Sequence, residues 1–493
     1  MNSILTHATS QVRLGASFGA GVLVALAMPP LPLGFLAPVG IAIWLWALSD
    51  CATPFRSGVL FGVGFCTLTL FWIGWVTVPG TVALILISAA EYGLLAATYR
   101  RLIQRRSEWA ALLFFPALWV LLEKLRATGF IGFPWLNVAH TQLDYLWLYQ
   151  FVEFTGDYGL SLWVVSAGAL LYSVISHRRT FHVVATAAWI AVPLLWGVWR
   201  IDHLPPATRT ANVAILQGDI DTYRKWDESY VDTSFAVYDS LTRQAAPGAD
   251  LIIWPETAAP TYLYQFRTHR LWAEAVSAAA GKPLLMGTLS FRRAPERDYI
   301  YNSAYLVHPD GQWEGPYSKR HLVPFGEMIP GAQWFPWLAT IDLGQGNFEL
   351  GPGPVVFDSA GWPHSVLICY ESMFSELARD QVLRGARFLV IITNDSWYGR
   401  TPGPAQHAAV ASLRAAEFRM GVARAANGGI SLWTDRAGRR RNETKLFERT
   451  IVRGEVPLGE GPTFYARIGP WPVWLATLWS VVAIVIAWRP RRR

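Results

Sequence analysis

Eight long apolar runs and one much more polar stretch divide the chain. The runs lie near 13–30, 33–49, 57–77, 80–99, 108–123, 158–176, 182–199 and 470–488. A strand or loop facing lipid leaves N–H and C=O groups unpaired, so runs of this kind are expected as helices. About 20 residues span a bilayer, and shorter runs do so with local thinning. The first run lacks a convincing small-residue cleavage site and further runs follow it closely, so it reads as a retained helix. The segment 129–157, rich in aromatics and glycine, is too polar to span and is expected at the outer interface.

From 203 to 467 the pattern changes to short apolar stretches separated by turns and helical periods. Ala211–Gln217, Leu251–Trp254, Pro283–Gly287, Ser303–His308, Ser365–Cys369 and Phe388–Thr393 read as strands. Several are nearly continuous Val, Ile and Leu, as expected for strands covered on both faces. Helical periodicity appears in Phe374–Leu383 and Pro404–Ala426. The expected architecture is a transmembrane α-helical bundle of about eight helices carrying one α/β domain. Its divisions are 1–202 for seven helices, 203–467 for the α/β domain, and 468–493 for an eighth helix with a basic tail.

Composition supports this division. Hydrophobic residues are 52% of the chain and charged residues 16%, against about 25% charged in ordinary soluble proteins. The 25 tryptophans suit the membrane–water boundary. A net charge of +7 raises the question of nucleic acid, but the basic residues sit in short loops between apolar runs. Arg56, the Arg100–Arg106 cluster, Arg178, Arg179 and the terminal arginines all fall on one side if the runs alternate across a bilayer. That side is then cytoplasmic and the α/β domain lies outside the cytoplasm. Lys124 and Arg126 depart from the pattern. The three cysteines give no disulfide framework; Cys51 and Cys66 read as packing residues.

Three local patterns share one design. In Leu-Ile-Ile-Trp-Pro-Glu an apolar strand stops at Pro255 and presents Glu256. Lys319 sits beside turn residues, with Glu327 eight positions later. A buried-looking strand ends at Cys369, followed by Tyr370 and Glu371. Strand ends followed by helix starts collect reactive groups, because backbone N–H donors point outward there. A thiol near a helix N-terminus and a lysine is expected to ionise more easily. Together the three types suit acyl transfer: a thiolate attacks a carbonyl, a carboxylate moves protons, and an ammonium with a backbone N–H stabilises the oxyanion.

Glu256, then Lys319 with Pro324, Gly326 and Glu327, then Cys369 with Tyr370 and Glu371, resembles the nitrilase (carbon–nitrogen hydrolase) superfamily. The separations of 63 and 50 residues are also similar to that family's, as is Asn394-Asp395-Ser396-Trp397 after the next strand. The resemblance implies an αββα sandwich for the α/β domain. Such a domain between seven helices and one resembles the bacterial apolipoprotein N-acyltransferase family. That likeness implies a ping-pong acyltransferase of the inner membrane, acting alone as a monomer and needing no cofactor. Its donor is a phospholipid, preferentially phosphatidylethanolamine, and its acceptor the α-amine of an apolipoprotein's N-terminal S-diacylglyceryl-cysteine. It implies that Glu256 is the base, that Lys319 stabilises the tetrahedral intermediates, and that Cys369 carries the acyl group. Glu327 holds Lys319 or assists the base, Tyr370 gives an N–H to the oxyanion, Glu371 supports the pocket, and Trp226 lies on a loop near the site. Asn394 and Trp397 read as capping and packing residues. His321 and His407 show no metal-ligand spacing and read as structural.

A membrane-tethered amidase passing its thioester to water is the first alternative. It leaves the apolar helices unexplained, since small polar amides need no such anchor. A transporter with an inactive domain is the second. Glu91, a charge inside an apolar run, is its only support, and Glu256, Lys319 and Cys369 are all present.

Overall fold

The computed structural model describes residues 9–295, 297–331, 335, 337, 348–359 and 361–489. They form two compact units: a helical one of 1–128, 132–203 and 468–493, and an α/β one of 129–131 and 204–467. Arg491, Arg492 and Arg493, part of the expected basic tail, lie outside the described residues.

The helical unit contains α1 (Ser10–Leu26), α2 (Leu36–Ser49), α3 (Pro54–Leu70), α4 (Val78–Arg105), α5 (Glu108–Arg126), α6 (Val152–His177), α7 (Thr180–Asp202) and the terminal helix Trp471–Trp488. Among the described residues, five segments are long and apolar enough to cross a membrane: Pro54–Trp75, α4, α6, α7 and the terminal helix. Helices α1 and α2 are shorter and also apolar. Lipid offers no hydrophobic drive for helices to associate, so close van der Waals contact has to hold them. Glycine makes this possible. A Cβ on Gly21 would stand 2.0 Å from the Phe61 carbonyl oxygen, and one on Gly58 would stand 2.2 Å from that of Tyr92. Helices α1, α3 and α4 therefore touch backbone to backbone. Trp44 stacks on Phe61 at 4.1 Å, and Tyr92 and Trp119 close the same aromatic cluster.

Glu91 is paired: its Oε2 accepts a hydrogen bond from Arg126 Nε at 2.8 Å. Arg126, the departure from the loop-charge pattern, is thus a buried partner of the half-buried Glu91 carboxylate rather than a loop charge. One expectation changes here. The sixth apolar run begins at Val152 rather than 158, with a break at Gly156 (φ 67°, ψ −173°) that only glycine takes readily. The aromatic stretch before it forms short buried turns, Pro134–Leu136 and Val138–Gln142.

The α/β unit runs β1 (Thr210–Gln217), α8 (Glu228–Ala245), β2 (Leu251–Ile253), β3 (Ala259–Tyr262), α9 (Arg267–Ala280), β4 (Leu284–Arg293), β5 (Asp298–Val307), β6 (Trp313–Ser318), β7 (Phe357–Asp358), β8 (Pro363–Ile368), α10 (Ser375–Leu383), β9 (Phe388–Thr393), α11 (Gly403–Phe418), β10 (Val422–Ala426), β11 (Leu432–Thr434), β12 (Arg440–Arg441) and β13 (Thr450–Pro457). One mixed sheet has the order β13-β1-β2-β4-β5-β6, with β3 paired to β4; the other runs β12-β11-β10-β9-β8-β7. Phe235, Tyr238 and Leu241 of α8 and Ala273 and Val276 of α9 pack on Ile252, Leu284 and Met286 of the first sheet. Ala378 and Val382 of α10 and Ala408, Ala411 and Ala415 of α11 pack on Leu367, Leu389 and Ile391 of the second. The result is two helix-covered mixed sheets, the αββα arrangement. Parallel neighbours β8 and β9 have helices on one face and the other sheet on the other, which accounts for their Val/Leu/Ile runs.

The expected helix Pro404–Ala426 ends early. Arg419 takes a left-handed φ of 51°, and Val422–Ala426 becomes β10, parallel to β9. A short, fully buried apolar run looks the same as strand or helix by periodicity, and here the open edge of β9 decides.

Gly287 in β4 is where the fold meets the strand end that bears Glu256. A Cβ there would lie 2.3 Å from the Pro255 carbonyl oxygen and 2.8 Å from Glu256 Cα. Overpacking a filled interior costs about 1–3 kcal/mol. Gly287→Ala is therefore expected to lower the thermal midpoint in detergent and to displace Glu256. An unchanged midpoint with full activity would show that this contact yields freely.

Candidate active site

Four strand ends meet within the α/β unit. Glu256 follows β2 and Lys319 follows β6, both in the first sheet; Cys369 follows β8 and Asn394 follows β9, in the second. Two of these strand ends are sharply bent. Cys369 has φ 54° and Thr257, next to Glu256, has φ 47°. For a residue with a Cβ these conformations are costly and persist only where the surroundings hold them.

Glu256, Lys319 and Glu327 form one buried cluster. Both Glu327 carboxylate oxygens lie 2.8 Å from Lys319 Nζ, and Glu256 Oε1 lies 3.5 Å from it. Asn302 Nδ2 donates to Glu256 Oε1 at 2.7 Å and to Glu327 Oε1 at 3.1 Å. The Asn394 backbone N–H donates to Glu256 Oε2 at 2.9 Å, which joins the two sheets through the carboxylate. Val323 N–H donates to Glu327 Oε2. Burial alone would discharge Lys319, but Glu327 first and Glu256 second more than offset it, so its ammonium is held charged far above the ordinary range.

The thiol departs from expectation. Burial pushes Cys369 well above the usual thiol range and the Glu256 charge adds to this; Lys319 pulls it down by less. Burial therefore favours the neutral thiol, and attack through this sulfur would need a base to take the proton. The side chains of Thr393 and Tyr398 lie close to its sulfur.

Glu371 does not face the cluster. Its carboxylate accepts from the N–H of Ile368, just before Cys369, at 2.7 Å and from that of Arg320, just after Lys319, at 2.5 Å. The Tyr317 hydroxyl bonds both its oxygens at 2.9 Å. Glu371 thus clamps the lysine strand end to the cysteine strand end. Burial raises it to about 7 while these backbone donors pull it back. Tyr370 is buried with its ring edge-on to Phe374, and His321 lies against the same phenylalanine.

Trp226 is on the turn Arg224–Trp226, more exposed than the residues above. Its neighbour Lys225 is buried, donates to Thr257 Oγ1 at 2.5 Å, and is lowered by burial to about 8. The tryptophan loop is therefore latched to the residue after Glu256. Asn394, read as a cap, bonds Glu256 through its backbone, and its side chain accepts from Thr222 and Asn427. Trp397 packs edge-on against Tyr223. His407 lies behind Cys369, with Nε2 3.1 Å from the Cys369 carbonyl oxygen. Sequence reasoning missed Asn302, Lys225, Thr393 and Tyr398. None carries a local signature, because their partners are tens of residues away. Among the described residues, no group of three or more His, Cys, Asp and Glu side chains is placed to hold a metal ion.

Comparison with known proteins places these features. The apolipoprotein N-acyltransferase N-terminal domain model matches residues 20–170, and the carbon–nitrogen hydrolase model matches residues 212–461. An apolipoprotein N-acyltransferase of Geobacter metallireducens is 34% identical over 95% of this chain and 94% of its own length. One from Chlorobaculum tepidum is 31% identical over 88% and 87%, and one from Vibrio cholerae 30% over 100% of both. A solved CN-hydrolase superfamily protein of Xanthomonas campestris is 18% identical, covers 50% of this chain and 91% of its own, and has a TM-score of 0.39.

The electrostatics of the thiol give an ordered expectation for its alkylation by iodoacetamide, followed on the Cys369 peptide across pH. Relative to wild type, the midpoint should move down in Glu256→Gln and up in Lys319→Met. The reverse order would contradict the assignment of charges around the sulfur.

Proposed function

The chain belongs to the apolipoprotein N-acyltransferase family, and on that premise we propose that it moves an acyl chain from a phospholipid to an apolipoprotein amine through a thioester on Cys369. The observation that carries this reading is the buried Glu256–Lys319–Glu327 cluster, bridged by Asn302, at the strand end beside a neutral thiol. A neutral thiol with a carboxylate at hand calls for general-base attack rather than a preformed thiolate.

In the first half-reaction Cys369 Sγ bonds to the ester carbonyl carbon of the donor while its proton passes to Glu256. The carbonyl oxygen becomes an oxyanion, met by the Lys319 ammonium and the Tyr370 N–H. As the intermediate collapses, the C–O bond breaks and the protonated Glu256 returns the proton to the leaving glycerol oxygen, releasing a lysophospholipid. In the second half-reaction the acceptor's α-amine attacks the thioester and Glu256 takes the amine proton. The C–S bond then breaks, and the sulfur recovers its proton, leaving an amide. Lys319 and Cys369 are buried and Glu256 nearly so, and in such a low-dielectric site a fixed charge acts far more strongly on the developing oxyanion than in water. Glu327 keeps Lys319 charged and aimed; Glu371 keeps the two strand ends in register.

The donor is phosphatidylethanolamine and the acceptor an S-diacylglyceryl-cysteine. Both are lipid-tailed, which explains a catalytic unit joined to helices apolar enough to cross a membrane. The placement of Arg56, Arg100–Arg106, Arg178 and Arg179 supports a bacterial inner-membrane orientation with the α/β unit on the periplasmic side. Trp226, on the latched loop beside Glu256, contacts substrate.

Intact mass after mixing with phosphatidylethanolamine tests the reading. Wild type should gain one acyl group on Cys369, and Cys369→Ala none. Glu256→Gln should stay folded yet fail to acylate, and Lys319→Met should lose about 10²–10³-fold in rate, the usual loss for one oxyanion donor. Acylation of Cys369→Ala, or Lys319→Met within tenfold of wild type, would remove the corresponding role.

A further inference from the structure

The peptide joining Cys369 to Tyr370 has its two polar ends committed in opposite directions. A trans peptide is planar, so its C=O and N–H point to opposite sides. Whatever fixes the Cys369 carbonyl therefore fixes where the Tyr370 N–H points. Cys369 sits in the left-handed region at φ 54°, where β8 ends and the short 3-10 turn Cys369–Met373 begins, so this peptide lies outside the strand ladder.

The carbonyl is gripped from within the fold. Ser372 Oγ donates to it at 2.9 Å, and His407 Nε2 lies 3.1 Å from it and 2.9 Å from Ser372 Oγ. On its other side His407 Nδ1 is 2.8 Å from Asp395 Oδ1. A carboxylate and a carbonyl are both acceptors, so each contact is a bond when the facing ring nitrogen carries a proton. Asp395 is itself fixed: Thr393 Oγ1 donates to Oδ1 at 2.9 Å and Arg424 to Oδ2 at 2.8 Å, while Arg424 also donates to the Ile430 carbonyl at 2.7 Å. Burial opposes the Asp395 charge, but Arg424 and then His407 outweigh it and hold the carboxyl well below its usual range. All of these side chains are buried. Gly429 lets the neighbouring chain close over them, since a Cβ there would stand 2.6 Å from Asp395 Oδ2. None of the steps assigned to Glu256 and Lys319 uses this network.

We propose that His407, braced by Asp395 and Arg424, is a positioning residue that sets the oxyanion hole by holding the Cys369 carbonyl so that the Tyr370 N–H faces the substrate. The inference rests on the reading that Cys369 is acylated and that the Tyr370 N–H meets the oxyanion. It differs from a general support role in one respect. Only reactions that develop an oxyanion depend on the peptide's direction. Displacement at the carbon of iodoacetamide forms no oxyanion and depends on the thiol alone.

The experiment compares two rates at Cys369 in the full-length protein in detergent: acylation by phosphatidylethanolamine and alkylation by iodoacetamide, both read by mass. His407→Leu is expected to lower acylation by about 10²–10³-fold, the scale of losing one oxyanion donor, while alkylation stays near the wild-type rate. His407→Gln, which keeps an N–H donor, should recover part of the loss. Ser372→Ala should show the same split in milder form, and it carries the test if His407→Leu fails to fold. Acylation and alkylation falling together, or acylation unchanged in both His407→Leu and Ser372→Ala, would overturn the proposal. Wild-type protein that never acquires an acyl group on Cys369 would instead remove the underlying reading, and the proposal with it.

Discussion

Lys319 stands between two carboxylates, Glu327 at 2.8 Å and Glu256 at 3.5 Å, with almost no access to solvent. Burying three charges costs several kcal/mol each before they attract one another, and losing one partner leaves an uncompensated charge behind. The arrangement survives only because neutral donors share the load: Asn302 bridges both carboxylates, and backbone N–H groups of Asn394 and Val323 take the remaining lone pairs. Two carboxylates against one ammonium leave the cluster net negative. Under the proposed mechanism, protonating Glu256 would bring the cluster to neutrality as an oxyanion forms next to Lys319. Charge is moved within the pocket rather than created in it.

The fold exists to make these ends meet. The carboxylate and lysine belong to one sheet, the thiol to the other, and they are tied by the Asn394 N–H to Glu256 and by Glu371, which accepts from the Arg320 N–H and the Tyr317 hydroxyl. Helices on the outer faces press the sheets together, so the strand ends are held by a packed core and not by loops. The strain at Cys369 and Thr257 is held the same way, by Ser372 and His407 on one side and Lys225 on the other.

Much of this was legible from residue order. Long apolar runs mark helices because lipid leaves no other choice for the backbone, and each of the eight runs holds one helix of the structure. Strands β1, β2, β8 and β9 were visible as buried Val/Ile/Leu stretches ending at turn residues. Other features were hidden for physical reasons. Val422–Ala426 read as helix because a short buried run has no period of its own. Helices α8 and α9 have a clear apolar face but little apolar content overall, and strands β3, β6 and β13 alternate too weakly to stand out. Arg126 looked like a loop charge because its partner Glu91 lies 35 residues earlier on another helix. In the site, Glu256, Lys319 and Cys369 showed themselves through strand ends and order, but Asn302 and His407 act only through contacts made after folding. The thiol was expected to ionise readily. Proximity to Lys319 suggested that, whereas burial and Glu256 decide otherwise.

The central claim is that one sulfur receives the acyl group and then gives it to an amine, and a pulse–chase measures this directly. The protein is loaded with a phospholipid labelled in one acyl chain, the excess is removed, and the label on the Cys369 peptide is followed after adding a diacylated lipopeptide with a free α-amine. The account predicts that label leaves Cys369 at the rate it appears as amide on the lipopeptide, with little loss to free fatty acid. Label that leaves Cys369 only as free fatty acid, or that reaches the lipopeptide without ever residing on Cys369, would contradict it.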